Sequence, residues 1–350
     1  YKLVFQNFKY DRQIVKNNLD LDLKLYADTM ILSWLLDTSE EVGIDYQIKK
    51  YFQIDMVSFS QVVKKGEDFS SVELEKATQY AAEDALMTLK LFNKQLEIFK
   101  QRGEDELLSI AFELEFNFIY VLASMEQKGI KIDVKLLKEY KDRSLIYLNE
   151  LTQNIYEACE ESFNINSPKQ LGVILFEKLE LASSKKTKTG YSTDESVLES
   201  LKNEHKVVPL LLKYREAFKL HSTYIEPLLE LGLKDKNSRI FSSFLHTGTT
   251  TGRLSSKNPN LQNIPVGAFS DIQIRKAFVA SDGYKLVGVD YSQIELRLLA
   301  HFSQDEALVN AFKQDLDIHL QTAIKIFGED EAKDKRAIAK TINFGLLYGM

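Results

Sequence analysis

The chain has 350 residues, with 45 basic against 51 acidic side chains and a net charge of −6. Its length suits two or three domains, and its 44% hydrophobic and 27% charged residues exclude a disordered chain. One cysteine excludes a disulfide framework and a multi-cysteine zinc site; the acidic balance excludes a wholesale basic coat for nucleic acid, though not a local basic cleft.

No uninterrupted apolar run is read as a membrane span, and no charged-then-apolar leader is read at Tyr1, so a soluble, intracellular protein is expected. Tyr1-Lys-Leu-Val-Phe5 reads as a strand, and Asn343-Phe-Gly-Leu-Leu-Tyr-Gly-Met350 ends in mid-pattern. The expectation is a fragment cut at both ends.

All five prolines lie at or after Pro168, and only four of fifteen glycines come before it, so long helices are predicted in the first half. Ser70-Ser-Val-Glu73 has the capping-box pattern and predicts a helix running to Gln101, stopped by Gly103. A second helix is predicted from Asp105 to Lys128, ending at Gly129. Its apolar stripe includes Leu108, Phe112, Phe116, Ile119 and Leu122. Ile130-Lys-Ile132 reads as a short strand, after which Asp133 caps a helix toward Glu161.

The basic stretch Ser183-Ser-Lys-Lys-Thr-Lys-Thr-Gly190 suits a solvated hairpin tip or a phosphate-backbone contact through Lys185 and Lys186. From Phe241 the texture changes, and Thr, Gly, Asn and Pro cluster through residue 265. Thr247–Ser256 surrounds Arg253 with hydroxyls and glycines, and Asn258–Pro265 is dense in amides, including Asn260, Gln262 and Asn263. Short polar side chains suit phosphate, sugar and minor-groove contacts, and equally an ordinary series of turns.

Lys285-Leu-Val-Gly-Val-Asp290 predicts a buried strand ending in a carboxylate, followed by a helix from Gln293. Asp290, with the carbonyl of Tyr291, suits a hard divalent cation; it suits equally a cap for that helix. In the last segment Arg336, Lys340, Phe344 and Tyr348 lie four apart on a helical pattern. Each step of four drifts about 40°, so they form one slanted stripe of two cations and two rings. Cations hold phosphates and rings stack on bases; a partly solvated helix with incidental charges fits the same pattern. A second stripe, Ile338, Ile342 and Leu346, is expected in a core.

Together these segments resemble family A DNA polymerases. Asp290-Tyr-Ser-Gln-Ile-Glu-Leu-Arg297 is similar to that family's first catalytic motif, and Arg336-Ala-Ile-Ala-Lys-Thr-Ile-Asn-Phe-Gly-Leu-Leu-Tyr-Gly349 to its fingers helix. Thr251-Gly-Arg-Leu-Ser-Ser256 and Asn260-Leu-Gln-Asn-Ile-Pro265 resemble its template-primer segments. Gln6-Asn-Phe-Lys-Tyr-Asp11 and Tyr80-Ala-Ala-Glu-Asp-Ala85 resemble the second and third motifs of the 3′–5′ proofreading exonuclease domain.

The resemblance implies an α/β multidomain fold. A partial, ribonuclease H-like exonuclease domain over residues 1–103 precedes a right-hand polymerase. Its linker helix and thumb would span 104–240, its partial palm 241–304 and its partial fingers 305–350. The implied activity is template-directed addition of dNTPs to a primer 3′ end by two-metal phosphoryl transfer. Asp290 and Tyr291 would hold Mg2+, while Arg336, Lys340 and His319 would contact the incoming phosphates. Phe344 would pack on sugar and base, Tyr348 would sit near the templating pair, and Glu295 would act as a steric gate against a ribose 2′-hydroxyl. Gln293 and Arg253 would contact primer-template DNA. Asp11 and Asp84 would be exonuclease metal carboxylates, with Tyr80 orienting the attacking water.

Two motifs of the family are absent from the sequence, a His-Asp hairpin and an Asp-x-Glu strand, so both metal sites are expected to be incomplete and the chain alone nearly inert. The palm sheet is expected to show an unpaired edge. The implied partners are primer-template DNA and dNTPs, with no membrane, for a monomer in the cytoplasm at the nucleoid. Two other readings stay open: a non-catalytic DNA-binding remnant and a stand-alone 3′–5′ exonuclease.

Overall fold

The structure is a computed structural model that describes residues 1–182, 186–187, 190–267, 269, 271–347 and 349. It divides into two units, Tyr1–Lys285 and Leu286–Met350.

The first unit opens with β1 (Val4–Phe5), α1 (Phe8–Leu19) and β2 (Ala27–Asp28), and β1 pairs parallel with β2. Next come α2 (Thr29–Leu36), α3 (Ile44–Phe52) and α4 (Phe59–Val62). A 3-10 turn at Phe69–Ser71 leads to the long α5 (Leu74–Arg102), which stops at Gly103 with φ 67°. The predicted capping box at Ser70 does not form. Asp68 accepts from Ser70 N at 2.9 Å and caps the 3-10 turn instead, so α5 starts after Glu73 without a side-chain cap. Asp68 wins because its carboxylate lies two residues before an available N–H, the geometry of a local side-chain turn.

The predicted helix over Asp105–Lys128 is present but interrupted. It runs as α6 (Asp105–Ile110), a π turn (Ala111–Glu115) and α7 (Phe116–Lys128). Contrary to expectation, Asp105–Lys128 is long and apolar enough to cross a membrane by length and composition. In the structure Phe116 and Ile119 instead join Phe8, Ile31, Leu32 and Phe99 in one core, with Leu108 and Phe112 packed against it.

β3 (Ile130–Ile132) follows Gly129, and Asp133 accepts from Leu136 N at 2.9 Å to cap α8 (Val134–Cys159). The next helices are α9 (Pro168–Val173), α10 (Glu195–Ser200), α11 (Val207–Lys219) and α12 (Glu226–Lys234), with π turns after α9 and α11. Leu148, Leu151 and Ile155 of α8 bury against Val207, Val208 and Leu211 of α11. Between α9 and α10, β4 (Lys186–Thr187) pairs with β5 (Gly190–Tyr191). Lys185 and the side chain of Lys186 lie outside the described residues.

β3 is the middle strand of an antiparallel sheet, between β6 (Arg239–Ile240) and β9 (Phe278–Val279). A hairpin of β7 (Ser243–Leu245) and β8 (Ser255–Lys257) carries the loop that contains Arg253.

The second unit holds α13 (Ile294–Ser303), α14 (Glu306–Lys313), α15 (Ile318–Phe327) and α16 (Ala332–Leu347). Leu296, Ala311 and Ile318 form a core shared by α13, α14 and α15. Ala323, Ala332 and Ala339 form another between α15 and α16.

The predicted buried strand at Lys285–Asp290 is not formed. The segment is irregular and exposed, with Val287 at 82% and Val289 at 93%. A strand needs a ladder partner to satisfy its backbone, and no strand occurs in this unit among the described residues. The expected Ile338 and Leu346 stripe is also exposed, with Leu346 at 70%. α16 instead buries Ala332, Ala339 and Gly345, small residues that admit a close approach of α15.

Candidate active sites

The side chains of α15 and α16 make a connected polar cluster in the second unit. Asp317 is the N-cap of α15 and accepts from His319 N at 3.0 Å and Leu320 N at 3.1 Å. Its carboxylate also accepts from Arg336 Nε of α16 at 2.6 Å. Burial works against the charged form of Asp317, but the Arg336 contact and the α15 amides outweigh it and hold the carboxyl below its ordinary value. Lys340 lies one helical turn beyond Arg336. The His319 ring packs 5.7 Å from the Phe344 ring. Burial lowers the pKa of His319, and the nearby Arg336 and Lys340 charges lower it further against the pull of Asp317. His319, Arg336, Phe344 and the Lys340 charge are thus brought together. Tyr348 lies outside the described residues.

Such a face has the components of an anion site: two cations, a ring nitrogen and a flat apolar side chain. It offers charge to phosphates and a surface for a sugar or base.

Asp290 and Tyr291 are exposed and precede α13. Asp290 does not cap that helix; Gln293 occupies the N-cap position with φ 52°. Glu295 lies in the first turn and is half-buried. Leu296, one residue on, packs with Ile318, so one core holds both α13 and the start of α15. No group of three or more His, Cys, Asp or Glu is placed to hold a metal among the described residues.

In the first unit, Arg253, Asn260, Gln262 and Asn263 are exposed around the β7–β8 hairpin. Thr249 Oγ1 donates to Arg253 O at 2.6 Å, and Trp34 Nε1 donates to Thr249 O at 2.9 Å. Asn260 Oδ1 accepts from Ser256 Oγ at 3.1 Å and Gln262 N at 3.0 Å, while Tyr224 donates to Asn263 O at 2.7 Å. Part of this amide-rich segment therefore braces its own loops.

Asp11, Tyr80 and Asp84 line one cleft of about 760 Å³, together with Tyr10, Phe59 and Phe69. α1 supplies Asp11, and α5 supplies Tyr80 and Asp84 one turn apart. Tyr80 hydrogen-bonds to Asp84, and burial raises the Asp84 pKa despite that bond, with Asp45 and Glu83 adding to the rise. Burial and the charge of Asp28 push Asp11 up to about 6.

Asp28 does not stand out in the sequence. It is 1% exposed and accepts from Asn7 N at 3.1 Å, Phe8 N at 2.7 Å and Met30 N at 2.9 Å. One carboxylate thus closes the amino ends of both α1 and α2 and fixes the helix that carries Asp11. Its position just before Thr29-Met30 is a readable cap signal for α2; its hold on α1, 20 residues away, is not readable. Asp317 and Asn343, equally inconspicuous in the sequence, act across α15 and α16.

A family profile for DNA polymerase family A matches residues 134–350. The chain belongs to DNA polymerase family A. A 3′–5′ exonuclease profile matches residues 1–99. DNA polymerase I of Borreliella burgdorferi is 43% identical over 353 residues, covering 100% of this chain and 38% of that protein. DNA polymerase I of Helicobacter pylori strain J99 is 46% identical over 325 residues, covering 92% of this chain and 35% of that protein. The chain therefore spans little more than a third of these family A relatives. The POL domain of Pol1 from M. smegmatis, solved in complex with DNA primer-template and dNTP, has a TM-score of 0.83 at 30% identity, covering 99% of this chain and 58% of that one. Domains of the two matched families generally use divalent metals.

Proposed function

We propose that this chain is the primer-template- and nucleotide-binding part of a template-directed DNA polymerase, joined to a proofreading-like 3′–5′ exonuclease module. One observation carries the reading: His319, Arg336, Phe344 and the Lys340 charge converge at α15–α16 in a chain of family A. In this reading Arg336, Lys340 and His319 bind the triphosphate of an incoming dNTP, and Phe344 orients its sugar and base. Glu295 excludes a ribose 2′-hydroxyl. Gln293, Arg253, Asn260, Gln262 and Asn263 contact primer-template DNA, with Lys185 and Lys186 on its backbone. The exonuclease-like, thumb, palm and fingers regions take the bounds 1–103, 104–240, 241–304 and 305–350. Work as a monomer in the cytoplasm, at the nucleoid and away from membranes, belongs to the same reading.

Magnesium fits the two modules differently. Asp290 and the Tyr291 carbonyl make an exposed, one-carboxylate set and do not complete a metal pair among the described residues. In this reading the residues of the second unit contribute binding and orientation to phosphoryl transfer. In the exonuclease-like cleft, Asp11 and Asp84 present two carboxylates whose pKa values are raised by burial first and by neighbouring acidic charge second. That donor set fits a divalent ion, which when bound lowers the pKa of a water nucleophile. In this reading Tyr80, which hydrogen-bonds to Asp84, orients such a water.

Calorimetric titration of the chain with dATP tests the reading. Lys340→Ala and Arg336→Ala are each expected to weaken binding about tenfold, as loss of a charge-assisted contact does. Equal affinity in wild type and both variants would overturn it.

A further inference from the structure

Trp34 stands on α2, in the segment matched by the exonuclease profile, and reaches into the loop that carries Arg253. Its ring is 6% exposed, and its Nε1 donates to Thr249 O at 2.9 Å, across 215 residues of chain. Thr249 Oγ1 in turn donates to Arg253 O at 2.6 Å. The roles in both bonds are forced, because an indole nitrogen only donates and a backbone carbonyl oxygen only accepts. The ring also lies along the far limb of the loop. A Cβ at Gly252, where φ is 80°, would stand 4.0 Å from Trp34 Cη2.

The near limb is held by neighbouring elements. His246, directly after β7, is 7% exposed and pairs with Glu115 of the first π turn. Its ring lies 6.1 Å from the Trp34 ring and 5.4 Å from the Phe118 ring of α7. Beyond these two holds, Thr250, Thr251, Gly252 and Arg253 are exposed. An exposed turn that contains a glycine has many backbone conformations open to it, and ordering it against a ligand costs entropy. A hydrogen bond at the base of the turn removes part of that cost before the ligand arrives.

We propose that Trp34 is a positioning residue for primer-template DNA: its indole N–H fixes the Thr249 carbonyl, and through Thr249 the exposed turn, in the conformation that presents Arg253 to the duplex. The DNA contact of Arg253 rests on the reading above. The part played by Trp34 goes beyond it and gives the exonuclease-like module a share in DNA binding by the β7–β8 hairpin. A role in stability alone would leave the affinity of the folded chain unchanged, and any effect on binding would multiply with that of Arg253→Ala. Action through the Arg253 turn does not multiply.

Trp34 is the only tryptophan of the sequence, so its indole N–H gives a single resonance. Slow exchange of that proton with deuterated solvent is expected, and rapid exchange overturns the clasp. The deciding experiment is binding of a fluorescein-labelled hairpin primer-template duplex to the 350-residue chain, followed by anisotropy at a temperature where each variant is folded by circular dichroism. Arg253→Ala is expected to weaken binding about tenfold. Trp34→Phe, which keeps an aromatic ring and removes the N–H, is expected to weaken it about fivefold, and the double variant is expected to bind no worse than Arg253→Ala alone. If Arg253→Ala weakens binding but Trp34→Phe does not, or if the two losses multiply, the proposal is overturned and the Arg253 contact stands. If Arg253→Ala binds as wild type does, the DNA contact itself is overturned and the proposal with it. Should Trp34→Phe not fold, the same cycle with Thr249→Val decides on the same terms, because that change keeps the side-chain shape and removes only the bond to Arg253 O.

Discussion

Arg336 donates to the Asp317 carboxylate at 2.6 Å while that carboxylate also caps α15, so the cation of α16 proposed to bind a phosphate already has an anionic partner. A triphosphate must share Arg336 with Asp317 or displace it. Asp317→Asn keeps a cap acceptor and removes the competing charge, and it is expected to tighten dATP binding a few-fold. Asp317→Ala also loses the cap and is expected to cost about 1 kcal/mol of stability in a denaturant melt. Competition is contradicted if Asp317→Asn binds dATP no better than wild type.

The Asp11 carboxyl gives a signed pH dependence. Its folded value of about 6 lies above the ordinary 3.8, so between those values the folded state binds more protons than the unfolded state. Its contribution to stability is therefore greatest below about 3.8 and is lost as pH rises through about 6. In metal-free buffer, the stability difference between wild type and Asp11→Asn should move against wild type across that window and then level off. A difference that is flat with pH would contradict the burial of this group.

Glu126 joins three elements. It accepts from Lys9 of α1 at 2.6 Å, from Gln13 at 2.8 Å and from Phe244 N of β7 at 2.6 Å. The helix that carries Asp11 and the hairpin that carries Arg253 are thereby tied through one carboxylate. A double-mutant cycle of Lys9→Met and Glu126→Gln should give a coupling energy of about 1 kcal/mol or more by urea unfolding, because both groups are largely shielded from water. Additive effects would mean that the pair contributes little.

The exposed segment before Asp290 yields a prediction of near-neutrality. Val287→Ser and Val289→Ser should each change stability by less than about 0.5 kcal/mol, the usual range for surface sites. They should also reduce aggregation, since they remove exposed apolar surface. A clear fall in melting temperature would restore the buried strand that the sequence suggested.

These cases show which signals a sequence carries. α8 is legible because Asp133 directly precedes it, and α5 is legible at its end because Gly103 takes the positive φ that a stop requires. The start of α5 is not, because two local caps compete and Asp68 has the better geometry. The apolar run Leu286–Val289 has the composition of a buried strand, but strand formation depends on a partner elsewhere in the chain. Arg336, Lys340 and Phe344 are visible through their spacing of four, and His319 through family resemblance. Asp28 and Asn343 are invisible because their roles exist only after two helices meet. The π turns at Ala111–Glu115 and Leu220–Ile225 leave no mark on the apolar period.

Photolabelling with 8-azido-dATP, followed by peptide mapping, tests the central claim most directly. The label is expected on the α15–α16 segment, residues 318–347, and should be lost in Lys340→Ala. Labelling confined to the first unit, or equal labelling of α16 in wild type and Lys340→Ala, would contradict a nucleotide site built on that helix.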